Sequence, residues 1–300
     1  RWSRRPYAVL ISLSRIIRIG FLNSAYSIIT LGPAAVSAQA DSISFEAVPY
    51  DIEEIRIIGQ KSTSLFPVTA RMVTVITHEQ IAAAPVQSLH DLLEYVATID
   101  IRQRGPNGVQ ADLSIRGGSF DHSLVLINGI VVSDPQTGHF SLDLPVDPEA
   151  VERIEILQGA AARVFGAGAF TGAINIIVRP GRENSLRGIL AYGDYGYFRT
   201  GITGSARTGP INSLVNLSHS GSSGYSTGTD FSMDNLYYTG QALIRSGTLK
   251  VQAGYQQKTF GANGFYSPRY PDQFEEYNTS LVSLDLRFGK TILFHSSSFC

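Results

Sequence analysis

The sequence predicts an α+β domain followed by antiparallel strands of a transmembrane β-barrel. Short strand-like runs, capped helices and an Asn-Gly turn crowd into residues 67–180, and strict two-residue alternation of apolar and polar side chains takes over beyond 181. The last 120 residues also hold 10 of the 14 tyrosines. Only 16% of the chain is charged, against about 25% in ordinary soluble domains. A hydrophobic content of 43% excludes collagen, coiled coil and disordered tail.

A net charge of −1 gives no field that would steer the chain onto nucleic acid or an anionic bilayer surface. The one cysteine, Cys300, leaves neither an intrachain disulfide nor a thiolate metal cluster. The chain opens on Arg1 rather than Met, as a fragment would.

Arg1, Arg4, Arg5, Arg15 and Arg18 precede an uncharged stretch from Ile19 to Ala40, which ends on Ala38-Gln39-Ala40 before Asp41. Positive residues, an apolar run and a small-x-small end are the marks of a cleaved signal peptide over 1–40. A transmembrane helix is the competing reading, against which Pro33 would break the helix. Residues 41–66 read as an extended tether. Within it Ile52, Glu53, Glu54, Ile55, Arg56, Ile57 and Ile58 form a β-branched segment that could add to the sheet edge of a partner. The first strand of the next domain is the alternative.

From Val68 each element has a local cause. Thr69 to Thr77 is strand-like, and Thr77 with Gln80 has the spacing of a capping box. Ser88 with Asp91 marks a second helix start, with Leu89, Leu92, Leu93 and Val96 at helical spacing. Strand runs follow at Ile99–Ile101, Leu113–Arg116 and Leu124–Ile127, and Asn128-Gly129 makes a tight hairpin turn. Asp147-Pro148 predicts a helix start. Arg153–Leu157 and Ala173–Val178 complete the unit, which ends at Arg179-Pro180-Gly181.

Beyond 181, Leu249, Val251, Ala253 and Tyr255 interleave with Lys250, Gln252, Gly254 and Gln256. Likewise Val282, Leu284, Leu286 and Phe288 interleave with Ser283, Asp285 and Arg287. A period of two separates the sets onto opposite faces. Strands are expected near 186–193, 197–206, 211–219, 236–245, 248–258, 277–288 and 291–298. The later connections alternate long and short, as in an outer-membrane barrel whose apolar face meets lipid. A soluble sheet with one wet face is the competing reading of the alternation alone.

Four segments then occur in order: Leu113-Ser114-Ile115-Arg116-Gly117, Val125-Leu126-Ile127-Asn128-Gly129, Val151 to Gly159, and Val164 to Ile177. Together they resemble the plug domain of TonB-dependent outer-membrane receptors over about 52–180. The resemblance implies a plug inside a 22-stranded barrel in the bacterial outer membrane. It also implies uptake of scarce, large solutes powered by TonB of the inner membrane, and a monomer rather than an enzyme. Ile52 to Ile58 sits where the family carries its TonB box. The cobalamin-transporter group is the nearest subfamily, with a ferric-siderophore receptor second. A truncated, non-transporting plug plus barrel stub is the competing class.

Size agrees with that fold. A domain of this length spans about 35 Å by radius-of-gyration scaling. Enclosing it takes a barrel about 45 Å across, hence roughly 22 tilted strands at about 4.8 Å spacing. About seven can be counted here, so the barrel is incomplete. A plugged pore cannot leak, and transport requires moving or partly unfolding the plug.

The resemblance assigns Arg116 and Arg153, with Glu155 nearby, to plug–barrel contacts. Pairing of Arg153 with Glu152 or Glu155 is the alternative. Outward plug loops would bind substrate, a corrinoid or ferric siderophore. The matching stretches contribute Gln103, Arg104, Asn107 and Gln110, then Gln136, Thr137, His139 and Phe140. No cofactor is expected. Asp230 and Asp234 are weak candidates for calcium. Gly166, Gly168 and Gly172 do not have phosphate-loop spacing, and His78-Glu79 lacks the second histidine of a zinc motif.

Overall fold

A computed structural model describes residues 9–13, 72–132, 139, 141–159, 162, 165, 168–244, 247–265, 267, 269, 272–288 and 291–299. The tether, the segment 52–58, and Gln136, Thr137 and Phe140 lie outside the described residues.

The inner domain runs from β2 (Met72–Thr77) to β8 (Gly172–Ile177). Its main sheet has the order β2-β7-β8-β5-β6, with β5 (Ser123–Ile127), β6 (Ile130–Val132) and β7 (Arg153–Gln158). The β5–β8 pair is parallel and the other pairings are antiparallel. A separate hairpin joins β3 (Ile99–Gln103) to β4 (Ala111–Ile115).

Both predicted capping boxes are present. Thr77 and Gln80 close the start of α1 (His78–Ala83), and Ser88 and Asp91 close α2 (Leu89–Glu94). Asn128 and Gly129 turn the β5–β6 hairpin with φ of 52° and 82°, the left-handed pair such a turn demands. Asp147-Pro148 starts only a 3-10 turn, Pro148–Ala150, and the Asp147 side chain makes no cap bond. That carboxylate turns to the strand wall instead, accepting from Asn235 at 3.4 Å and lying 3.7 Å from Arg199.

The second sheet holds the seven predicted strands in sequence order: β9 (Ser185–Tyr192), β10 (Phe198–Thr208), β11 (Ile211–Ser222), β12 (Phe231–Ile244), β13 (Gly247–Gly261), β14 (Phe274–Phe288) and β15 (Thr291–Phe299). It is an open wall with no closed barrel. β1 (Val9–Leu13) pairs with the far edge of β9, Val9 opposite Tyr192 and Leu13 opposite Gly188. Connections at one end, 209–210, 245–246 and 289–290, have two residues each; those at the other, 193–197, 223–230 and 262–273, are longer. Short turns on one side and long loops on the other are the outer-membrane arrangement.

Burial on this wall is inverted relative to a soluble sheet. The polar positions Gln252, Gln256 and Thr279 are 4%, 3% and 0% exposed, whereas Leu217, Leu236 and Val282 are 47%, 45% and 58% exposed. The polar face is covered by the inner domain and the apolar face looks outward, which decides for the lipid-facing reading over the wet-sheet one. The apolar band ends at one row. Leu217, Leu236 and Tyr255 stand side by side across β11–β13, and the next outward row is His219, Asp234, Gln257 and Asn278. The inner core itself includes wall residues: Leu214, Tyr237 and Leu281 pack with Leu92, Leu93, Ile154 and Ile174.

Candidate functional site

Contacts in the seam between inner domain and wall include three groups. At the middle, Asn128 Nδ2 donates to Tyr237 Oη at 3.1 Å and to Gln252 Oε1 at 2.9 Å, and Tyr237 Oη also donates to Gln252 Oε1. Asn128 Oδ1 meanwhile accepts from Val178 N–H, so the turn residue ties the hairpin to its own domain as well. Beside β10, Arg199 reaches Glu149 at 2.6 Å. Along β13, three successive residues of the inner domain meet three inward positions. Asp143 pairs with Lys258, Leu144 C=O accepts from Gln256 at 3.0 Å, and Pro145 lies on Gly254.

None of these wall partners is visible as a site in the sequence, because Lys258, Gln256 and Gln252 read there as ordinary lumen-facing polar positions. Only the alternation that turns them inward signalled them.

At the long-loop end the two predicted binding loops converge on one carboxylate. Arg104 NH2 lies 3.3 Å from Asp112 Oδ2, and His139 Nδ1 lies 2.8 Å from Asp112 Oδ1. The His139 ring also sits 4.1 Å from that of Phe120. Arg104 donates a further bond to Phe265 C=O, at the edge of the long loop between β13 and β14. Asp112 was not foreseen. It lies on β4, a strand whose alternation marks it only as a polar position.

The other loop candidates lie elsewhere. Gln103 donates to Asp91 and Glu94 on α2, Gln110 is buried, and Asn107 forms a left-handed turn with φ of 58°.

Arg116 donates to Gln158 Oε1 at 3.1 Å within the inner domain. Arg153 pairs with Glu155 at 2.7 Å and Glu152 at 3.3 Å, also within it. Glu155 continues inward: it accepts from Asn175, whose side-chain oxygen accepts from Gly129 N–H, next to the Asn128 contact with the wall. A cavity of ≈ 480 Å³ opens on the short-turn side, where Arg153, Glu155 and Arg179 face Lys250, Asp285 and Arg287. Asp234 Oδ1 accepts from His219 Nδ1 at 2.8 Å, and Asp230 ends the loop before β12. Among the described residues no three His, Cys, Asp or Glu side chains gather as metal ligands.

Burial governs the titration of the inner domain's His90. Its ring is 4% exposed, and desolvation, with the nearby Lys258 charge, lowers its pKa to about 4. Among the described residues neither ring nitrogen has a hydrogen-bond partner.

Residues 68–173 match the family model for the TonB-dependent receptor plug domain. Over 123 residues the chain is 29% identical to a vitamin B12 transporter of Vibrio vulnificus (strain YJ016), covering 41% of this chain and 20% of that protein. It is 34% identical over 120 residues to that of Vibrio cholerae serotype O1 (strain M66-2), covering 40% and 19%. The chain therefore spans about a fifth of the length of these curated relatives. In fold it resembles Pseudomonas aeruginosa FpvA, solved with heterologous pyoverdines, at a TM-score of 0.62 and 17% identity, covering 74% of this chain and 32% of that one. It also resembles the siderophore receptor PiuA of Acinetobacter baumannii, with a TM-score of 0.58 and 22% identity over 74% of this chain and 34% of that one. Residues 68–173, which cover the polar face of an outward-apolar wall, thus match the TonB-dependent receptor plug domain, and this stretch of the chain is similar to vitamin B12 transporters of the outer membrane.

Proposed function

We propose that this chain is the front part of an energy-coupled importer that takes up a large, scarce solute, with cobalamin or another corrinoid as the first choice. The covering of the wall's polar face by the inner domain carries this reading. The inward wall positions are sealed against the plug by hydrogen bonds and buried ion pairs, so passage needs work done on the plug. TonB would supply that work by pairing with the segment Ile52–Ile58 within the tether. Residues 1–40 would serve as the export signal, and their removal would free the outer edge of β9.

On the long-loop side, Arg104 and His139 around Asp112, with Phe120 against the imidazole, supply charge, hydrogen bonding and an aromatic face. That set suits a large polar solute with planar parts. The similarity to vitamin B12 transporters supports a corrinoid, and the fold likeness to siderophore receptors makes a ferric siderophore the second reading.

Titration of the full-length, membrane-assembled receptor with cyanocobalamin and with ferric siderophores tests the choice. Saturable cyanocobalamin binding weakened by Asp112→Ala is expected. Binding of a ferric siderophore without any corrinoid binding would overturn it.

A further inference from the structure

Lys258 is a single wall cation that touches both outward loops of the plug. It stands on the inner face of β13, between Met233 and Tyr277 of the flanking strands. Its Nζ lies 2.5 Å from the carbonyl oxygen of Val109, in the loop that carries Arg104, and 2.6 Å from Asp143 Oδ2, just after His139. The Lys258 and Asp143 side chains are 1% and 2% exposed. The face of Phe260 lies 5.5 Å from the ammonium. The ammonium thus meets two separate plug segments beside an aromatic face.

A charge this deep is tolerated only while its partners stay. Releasing either segment would leave the ammonium under-compensated, so the two segments are held or lost together. The surroundings reinforce the pairing: Gly105 lies against Phe265, and Leu144 and Pro145 against Gln256 and Gly254.

We infer that Lys258 is the positioning residue that couples the two outward loops to each other and to the wall, so that a solute drawing on one loop also loosens or tightens the other. This rests on the importer reading only for what the loops bind; the coupling itself is a property of the empty protein.

Amide hydrogen exchange on the ligand-free, full-length receptor tests it. Lys258→Met is expected to speed exchange at least tenfold in both 103–110 and 139–146, while β5, β7 and β8 keep their protection. Asp143→Asn, which leaves the Lys258 ammonium without its counter-charge, is expected to loosen 103–110 along with 139–146. The reversed pair Lys258→Asp with Asp143→Lys is expected to restore 139–146 alone, an asymmetry that a generic packing role would not produce. A response confined to one loop in Lys258→Met, or uniform exchange throughout the plug, would overturn the coupling. Where Lys258→Met does not assemble, Asp143→Asn decides, and loosening confined to 139–146, or of neither loop, overturns the inference. Cyanocobalamin titration of the same variants is a separate arm. Loss of loop coupling with no corrinoid binding by the parent protein would sink the substrate choice and leave the coupling standing.

Discussion

Arg199 of β10 and Glu149 of the plug meet at 2.6 Å across the seam, with the arginine side chain 3% exposed. Asp147 lies 3.7 Å from the same guanidinium, so one wall cation answers two plug carboxylates. Removing Arg199 leaves Glu149, 28% exposed, and Asp147, 12% exposed, without their cation, at a cost of about 1–3 kcal/mol. Arg199→Met should therefore lower the melting temperature of the plug in calorimetry of the detergent-solubilised receptor. Adding Glu149→Gln and Asp147→Asn should recover much of the loss; no recovery would show that Arg199 acts through something other than these charges.

Asn128 combines a left-handed turn with three side-chain bonds, two to the wall and one from Val178 N–H. Asn128→Gly keeps the turn and loses the bonds. Asn128→Ala loses the bonds and also places a Cβ in the left-handed region, worth about 1–2 kcal/mol more. The alanine variant should thus be the less stable of the two in denaturant titration, and equal stability would exclude backbone strain as a contributor.

Gly254 lies on the wall directly against the Pro145 ring of the plug. A Cβ there would fall 2.6 Å from Pro145 Cγ and 3.1 Å from the Tyr237 ring, and neither ring can fold out of the way. Gly254→Ala should cost about 1–3 kcal/mol by overpacking. It should also expose the segment around Pro145 to limited proteolysis ahead of the rest of the plug.

His90 gives the plug an acid-sensitive point. Its folded pKa of about 4 lies below the ordinary 6.5, so between those values the unfolded chain binds the extra proton. Stability from this residue is fully present above about pH 6.5 and falls as pH drops toward 4, by about 3 kcal/mol in all. The charged groups that bear on it are Lys258, which opposes protonation, and Asp91, which favours it. His90→Leu should flatten the acid limb of the stability profile measured between pH 7 and 4.5, whereas an unchanged limb would assign it to other groups.

Local chemistry was readable and the seam was not. The Thr77–Gln80 and Ser88–Asp91 caps and the Asn128-Gly129 turn depend on neighbours within four residues, and each stands as its spacing predicts. Alternation gave seven of the eight strands of the second sheet and their two faces, but not β1, which lies in the stretch read as a signal. It placed the ends of β12 and β14 short, since Phe231 and Phe274 begin them. There the strands run past the apolar band into positions such as Ser232, Asp234 and Glu276, where no hydropathy contrast marks a strand.

Arg199, Lys258 and Asp112 escaped notice because their partners sit far off in the sequence, or because a polar residue facing a lumen looks the same whether water or protein fills it. Asp147 misled for the same reason. Its local pattern asked for a helix cap, and two distant wall residues took its carboxylate.

The inner surface of the wall has one more consequence. Gln252, Gln256, Asn216 and Thr279 are dry only because the plug covers them, and every one of them can be rehydrated. Withdrawing the plug there exchanges protein partners for water instead of stripping bare an oily face, so much of the seam can let go reversibly. What remains afterwards is a wettable polar face rather than an oily one.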